Sequence, residues 1–134
     1  MAIQKSIALR DAQNNQIEIV AGPSALLRGY TNSVPANCAA GDNGIQLFEI
    51  VLPADWLTQS ANGVIAQLGA WAALGTFQGL ARCFRIKNAS TFATHLQGTI
   101  TPTDYGGDMT LSDVNILTYK PITVTSFNCV ASGA

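Results

Sequence analysis

Charge is what this sequence has least of. Only 11% of its 134 residues are Asp, Glu, Lys or Arg, where an ordinary soluble domain carries about 25%. Seven basic and eight acidic residues leave a net charge of −1, so no basic field exists to hold a nucleic acid. No run of 18 apolar residues occurs, which excludes a helical membrane span. Disorder needs low hydrophobicity with high charge, and an apolar fraction of 48% denies the first. The three cysteines, Cys38, Cys83 and Cys129, sit in no CxxC or CxH spacing. That argues against zinc, and their odd number leaves at least one thiol free. Cys38 belongs to the loop PANCAAGDNG and is expected at the surface; the other two read as small core residues.

Catalytic templates fail for want of parts. The single histidine, His95, lies in a strand-like run without a GxSxG elbow, and reads as a partly buried strand residue rather than a base. No GxGxxG or GxxxxGK cradle is present. The carboxylates are dispersed; Asp104 and Asp108 flank Tyr105-Gly106-Gly107 and read as the punctuation of a hairpin loop. Arg82 and Arg85 differ in strand parity, so they point to opposite faces and make no basic stripe. The expectation is a protein that is not an enzyme, with no catalytic residue, no metal and no cofactor. The opening MAIQKSIALRDAQ is interrupted by Gln4, Lys5 and Arg10, so no signal peptide is expected and synthesis is cytoplasmic.

What fills the surface instead is amide and hydroxyl: Ser, Thr, Asn and Gln supply 37 residues. Solubility ordinarily rests on charge, whereas surfaces buried against partners are depleted of it. The composition therefore suggests a protein that works inside an assembly, with a Thr/Asn-rich monomer as the plain alternative.

Periodicity divides the chain into an N-terminal segment, residues 1–22, and a β domain, residues 23–134. Ile3, Ile7 and Ala12 sketch one sparse helical face over residues 5–19, with Ser6 as cap and Gly22-Pro23 as stop. A short strand at Gln16–Val20, or an arm reaching a neighbour, is the alternative. Beyond Pro23 the period is that of strands: Ala25–Tyr30, Ile45–Leu52 (apolar on both faces, hence expected centrally), an extended Gly- and Ala-rich stretch at 63–77, a hairpin at 80–100, a short strand at 108–111, and Ile122–Val130. In the last, Ile122, Val124, Ser126 and Asn128 share one face, opposite Thr123, Thr125, Phe127 and Cys129. Seven to eight such strands predict an all-β fold, a β-sandwich of jelly-roll or Greek-key type.

The order of segments carries a resemblance. IALRDAQ, Leu26-Leu27-Arg28-Gly29-Tyr30, VPANCAAGDNGIQLFEIVLPADW, ARCFRIKN, THLQGTI, GGDMTL and ITVTSFNCVASGA follow one another in a way that resembles small virion proteins encoded among the structural genes of tailed bacteriophages. The likeness spans about residues 7 to 131. It departs from the family pattern at 64–78 and at Thr94, where the family has cysteine before the histidine. The resemblance implies a structural protein of the phage particle, present in the virion and made in the bacterial host. Its implied partners are other copies of itself, as a homo-oligomer, and other virion proteins, the major capsid protein first. Capsid decoration or cement is the favoured role. The alternative is a tail- or fibre-associated protein, or a receptor- or carbohydrate-binding module. Aromatic residues read as lying in loops, Tyr30, Trp56 and Tyr105, with Trp71, are the candidate interface anchors; an ordinary core or lid residue is the alternative for each, and the favoured one for Trp56 and Trp71.

Overall fold

The computed structural model describes residues 3–131. One helix, α1 (Ile7–Ala21), precedes ten strands: β1 (Leu26–Tyr30), β2 (Gln46–Val51), β3 (Val64–Ala66), β4 (Ala72–Leu74), β5 (Gly79–Leu80), β6 (Cys83–Lys87), β7 (Thr94–Pro102), β8 (Met109–Leu111), β9 (Asn115–Ile116) and β10 (Pro121–Val130). The principal sheet runs β2-β1-β6-β7-β8-β10-β3, with β4 also on β10, and β5 and β9 form a separate pair. The sheet is mixed and curled. Its first strand, β2, meets the far side of the curl through the amides of Thr76 and Phe77, which donate to the Leu47 carbonyl at 2.8 and 3.3 Å.

Register explains which side chains enter the core. Ile50, Leu27, Ile86 and Leu96 lie level across β2, β1, β6 and β7 and face inward. The next inward row is Phe48, Gly29, Phe84 and Gly98. Here large alternates with small by necessity, because a Cβ on Gly29 would overlap the Phe48 ring and one on Gly98 would crowd Phe84. From the opposite side of the curl Phe127 meets Phe84 edge-on at 5.8 Å, and Trp71 and Trp56 extend the stack at 5.4 and 6.0 Å. Such pairs add to simple area burial.

The helix forms between the two expected signals. Ser6 Oγ accepts from the Leu9 amide at 3.1 Å, and Gly22, at φ 92°, closes the far end by donating to the Glu18 carbonyl. The expected apolar face of Ile3, Ile7 and Ala12 is not the one it buries; all three are exposed. The helix docks through polar groups instead. Asp11 accepts from Ser60 Oγ and the Gly63 amide, and Asn14 donates to Ser60 Oγ and the Gly63 carbonyl. Asn15 accepts from the Ser60 amide, Glu18 from the Trp56 and Leu57 amides, and Arg10 donates to the Ala131 carbonyl. The irregular backbone of residues 56–63 has unpaired polar groups that must be satisfied, and polar side chains on α1 do so. Burial raises the Glu18 pKa, the bonds from Leu57 and Trp56 oppose it, and the nearby Asp55 carboxyl adds to the rise.

Three strand expectations need correction. β2 is the terminal strand of the principal sheet rather than a central one; it reads as apolar on both faces because residues 76–77 shelter its open edge. The loop after β7 is no hairpin, since β7 and β8 are parallel, with Ile100 level with Met109 and Pro102 with Leu111. The chain returns in residues 103–108, pinned by side chains in place of a backbone ladder. Asp108 accepts from the Thr99 amide and hydroxyl, and Thr101 Oγ1 from the Gly107 amide. Finally, the alternation of β10 breaks. Val124 pairs with Leu111 and Ser126 with Thr110, so Thr125 is a bulge. One extra residue inverts the parity, and Phe127 joins Ile122 and Val124 in the core.

Candidate interaction surfaces

Of the four aromatic anchors expected from the sequence, the structure puts three in the interior. Trp56 and Trp71 are 0% exposed and Tyr30 is 2%. Both indole N–H groups are taken internally, by the carbonyls of Gly22 and Leu68. Tyr30 is a strand residue, not a loop residue. These three build the fold and offer nothing to a partner. Tyr105 alone is open, at 76%, on the tip of the 103–108 return.

The face of β2-β1-β6-β7 opposite the core carries one polar row: Glu49, Arg28, Arg85 and Gln97, level in register. Loop 31–44 roofs part of it. Arg85 holds that loop with its whole guanidinium, donating to Asp42, to the carbonyls of Asn37 and Cys38, and to Gln97. Lys87 Nζ lies 2.8 and 3.0 Å from the two Asp42 oxygens. Burial disfavours the Asp42 charge, but the bonds from Lys87 and Arg85 outweigh it and hold the carboxyl down at about 2. Tyr30 lies beside this cluster. Burial first, then the Asp42 charge, pushes its phenol up to about 12, and its buried hydroxyl has no hydrogen-bond partner among the described residues. This cluster is saturated, and it reads as a clamp on the loop. Arg82, just outside β6, is exposed, while Arg85 is buried beneath loop 31–44.

Two other surfaces stand out, beside a groove of about 580 Å³ that includes Asn32, Asn43 and Arg82 and the exposed Ile7, Leu9, Ile19 and Val20 of α1. The first is apolar. Segments 74–80 and 115–121 lie side by side: Gly79 pairs with Ile116 and Leu80 with Asn115, Tyr119 N donates to the Gly75 carbonyl, and Gly75 N to that of Lys120. They expose Leu74, Phe77, Leu80 and Leu117 by about half, and Tyr119 by 80%. The one charged residue in the two segments, Lys120, is neutralised by Asp113 at 2.8 Å. Tyr119, hidden in what reads as a featureless connection, had no signal in the sequence beyond being aromatic. The second surface is a polar groove of about 510 Å³ beside Tyr105, lined by Thr103, Asp104, Gly106, Thr110, Thr125, Ser126 and Asn128 among others. His95 is half-buried against the flank of α1, beside Gln13, Gln16, Ile17 and Val20. Cys38 is exposed and Cys83 buried, while Cys129 is intermediate.

These features define a mostly β protein with one helix, whose open surfaces are short of charge. Comparison with protein-family models, with curated proteins and with solved structures gives no match to this chain.

Proposed function

We propose that the protein is a non-enzymatic structural component of a tailed-phage virion, a decoration or cement protein that stabilises the capsid through many copies. The observation that carries this reading is the apolar margin of Leu74, Phe77, Leu80, Leu117 and Tyr119, on segments with a single, neutralised charge. Exposed apolar surface of that kind, with Arg82 beside Leu80 as its one unpaired charge among the described residues, is the composition of an interface. The order of motifs along the chain supplies the phage context. In the same reading the two halves of the curled sheet, facing each other across Phe84, Phe127 and Trp71, form a two-layer β-sandwich.

Magnitudes suit a lattice better than an isolated pair. Burying the exposed half of a large apolar side chain contributes about 1 kcal/mol, so the five residues supply about 5 kcal/mol. That barely offsets the lower end of the roughly 4–15 kcal/mol lost on association. One copy holds weakly; a ring or shell of copies holds well because symmetry repeats the contact. The test is re-addition of purified protein to particles lacking it. The wild type restores occupancy, whereas a Leu80→Asp, Tyr119→Asp double variant, folded as judged by its circular dichroism, does not. Full occupancy by the double variant defeats the assignment of this margin.

A further inference from the structure

We propose that the groove beneath the 103–108 return binds a neutral saccharide, whatever the protein's place in the virion. Thr103 Oγ1 donates to the Leu111 carbonyl at 3.2 Å, and a hydroxyl has one proton to give. In the 2.8 Å contact between Thr103 and Thr125 the donor is therefore Thr125. The 2.6 Å contact between Thr110 and Thr125 then takes its proton from Thr110. That leaves Ser126 as the donor in its 2.6 Å contact with Thr110. The chain of four hydroxyls has one direction, ending on a carbonyl. Every proton is committed internally, and lone pairs are what the hydroxyls have left to offer.

The bulge that returns Phe127 to the core is what sets Thr125 and Ser126 together against Thr110. Above this floor stand the Asp104 carboxylate and the Asn128 amide, neither hydrogen-bonded among the described residues. Tyr105, between the lining residues Asp104 and Gly106, is 76% exposed. The loop that carries Asp104 and Tyr105 is fixed in advance: Tyr105 N donates to the Pro102 carbonyl, and Thr99, Thr101 and Asp108 tie its far end. Such preorganisation lowers the entropy lost on binding.

A groove whose floor offers lone pairs, beside a carboxylate and with the Asn128 amide as its free side-chain donor among the described residues, calls for a ligand rich in donors that also carries acceptors. Sugar hydroxyls donate; a vicinal pair matches the two oxygens of one carboxylate; and the C–H face of a pyranose stacks on an exposed tyrosine. A cation is the competing donor. It would find only Asp104, a single carboxylate in an open, solvent-screened groove, which attracts weakly. At about 510 Å³ the space is within the range of small-ligand sites, roughly 300–1,000 Å³.

The test is an amide-resolved NMR titration of the full chain with glucose, galactose, mannose, rhamnose and N-acetylglucosamine, each to about 100 mM, which reveals millimolar dissociation constants. At least one sugar is expected to shift residues 103–107, 110 and 125–128. Asp104→Asn and Tyr105→Ala, both at exposed positions, should each weaken that sugar about tenfold. The proposal is overturned if no sugar shifts these residues, or if both variants bind like the wild type. It is also overturned if spermidine, run as the cationic probe, binds the groove more tightly than every sugar.

Discussion

Replacing Asp42 by Asn should destabilise the protein at pH 7 by about 2 kcal/mol and leave it nearly unharmed at acid pH. Among the described residues Asp42 is the only carboxylate paired with Arg85 and Lys87, whose side chains are 1% and 8% exposed. Its pKa falls from the ordinary 3.8 to about 2. At about 1.4 kcal/mol per unit the shift corresponds to at most about 2 kcal/mol of linkage, which must be reduced for solvent screening because the carboxylate is 36% exposed. Leaving two buried cations unpaired adds to the loss, toward the 3–5 kcal/mol of a fully buried pair, but Arg85 keeps two carbonyls and Gln97. These terms settle near 2 kcal/mol. For a chain of this length that is a fall of about 7 °C in Tm. Because the folded pKa is depressed, the contribution is complete above the unfolded value. It is lost as pH falls from about 3.8 to about 2. Thermal melts followed by circular dichroism from pH 7 to pH 2.5 should show wild type and variant converging across that window. A gap under 1 °C at pH 7, or one that persists unchanged at pH 2.5, would refute the clamp.

The remaining expectations are simpler. Tyr30→Phe removes a buried hydroxyl with no hydrogen-bond partner among the described residues, so its unfolding free energy in urea should stay within about 0.5 kcal/mol of wild type or rise. Trp71→Ala removes the centre of the aromatic stack and should cost about 3–5 kcal/mol by urea unfolding; a cost below 1 kcal/mol would mean the stack does not hold the two sides of the curl. Glu18→Ala strips the Trp56 and Leu57 amides of their acceptor and should speed hydrogen exchange throughout α1. Glu18→Gln, which keeps an acceptor oxygen without the buried charge, should not.

Where residues signal through local chemistry, the sequence is legible. Ser6 and Gly22-Pro23 bound the helix, and alternation locates the 80–100 hairpin. What could not be read depends on partners distant along the chain. The helix faces inward with Arg10 and Asn14 because the backbone of residues 56–63 needs polar partners, and no helical periodicity announces that. The bulge at Thr125 is invisible in a run that alternates cleanly as text. It inverts Phe127 and brings Thr110, Thr125 and Ser126 together, so the groove arises from a departure from the pattern. Trp56 and Trp71 are fully buried, as their core reading has it, and of the anchors only Tyr30 is placed against its expected loop position. Tyr105 is the one anchor whose exposure follows from its loop, because Asp104 and Gly106, with φ of 71° and 78°, turn the chain outward on either side of it.

The central claim is that this protein is a many-copy component of a phage particle, held by a charge-poor margin. Quantitative mass spectrometry of purified particles, with the major capsid protein as internal standard, tests it most directly. Decoration of the shell predicts hundreds of copies per particle, in a fixed small-integer ratio to the capsid subunit. A few dozen copies or fewer would contradict the capsid role and point to the tail, and complete absence from the particle would contradict the account as a whole.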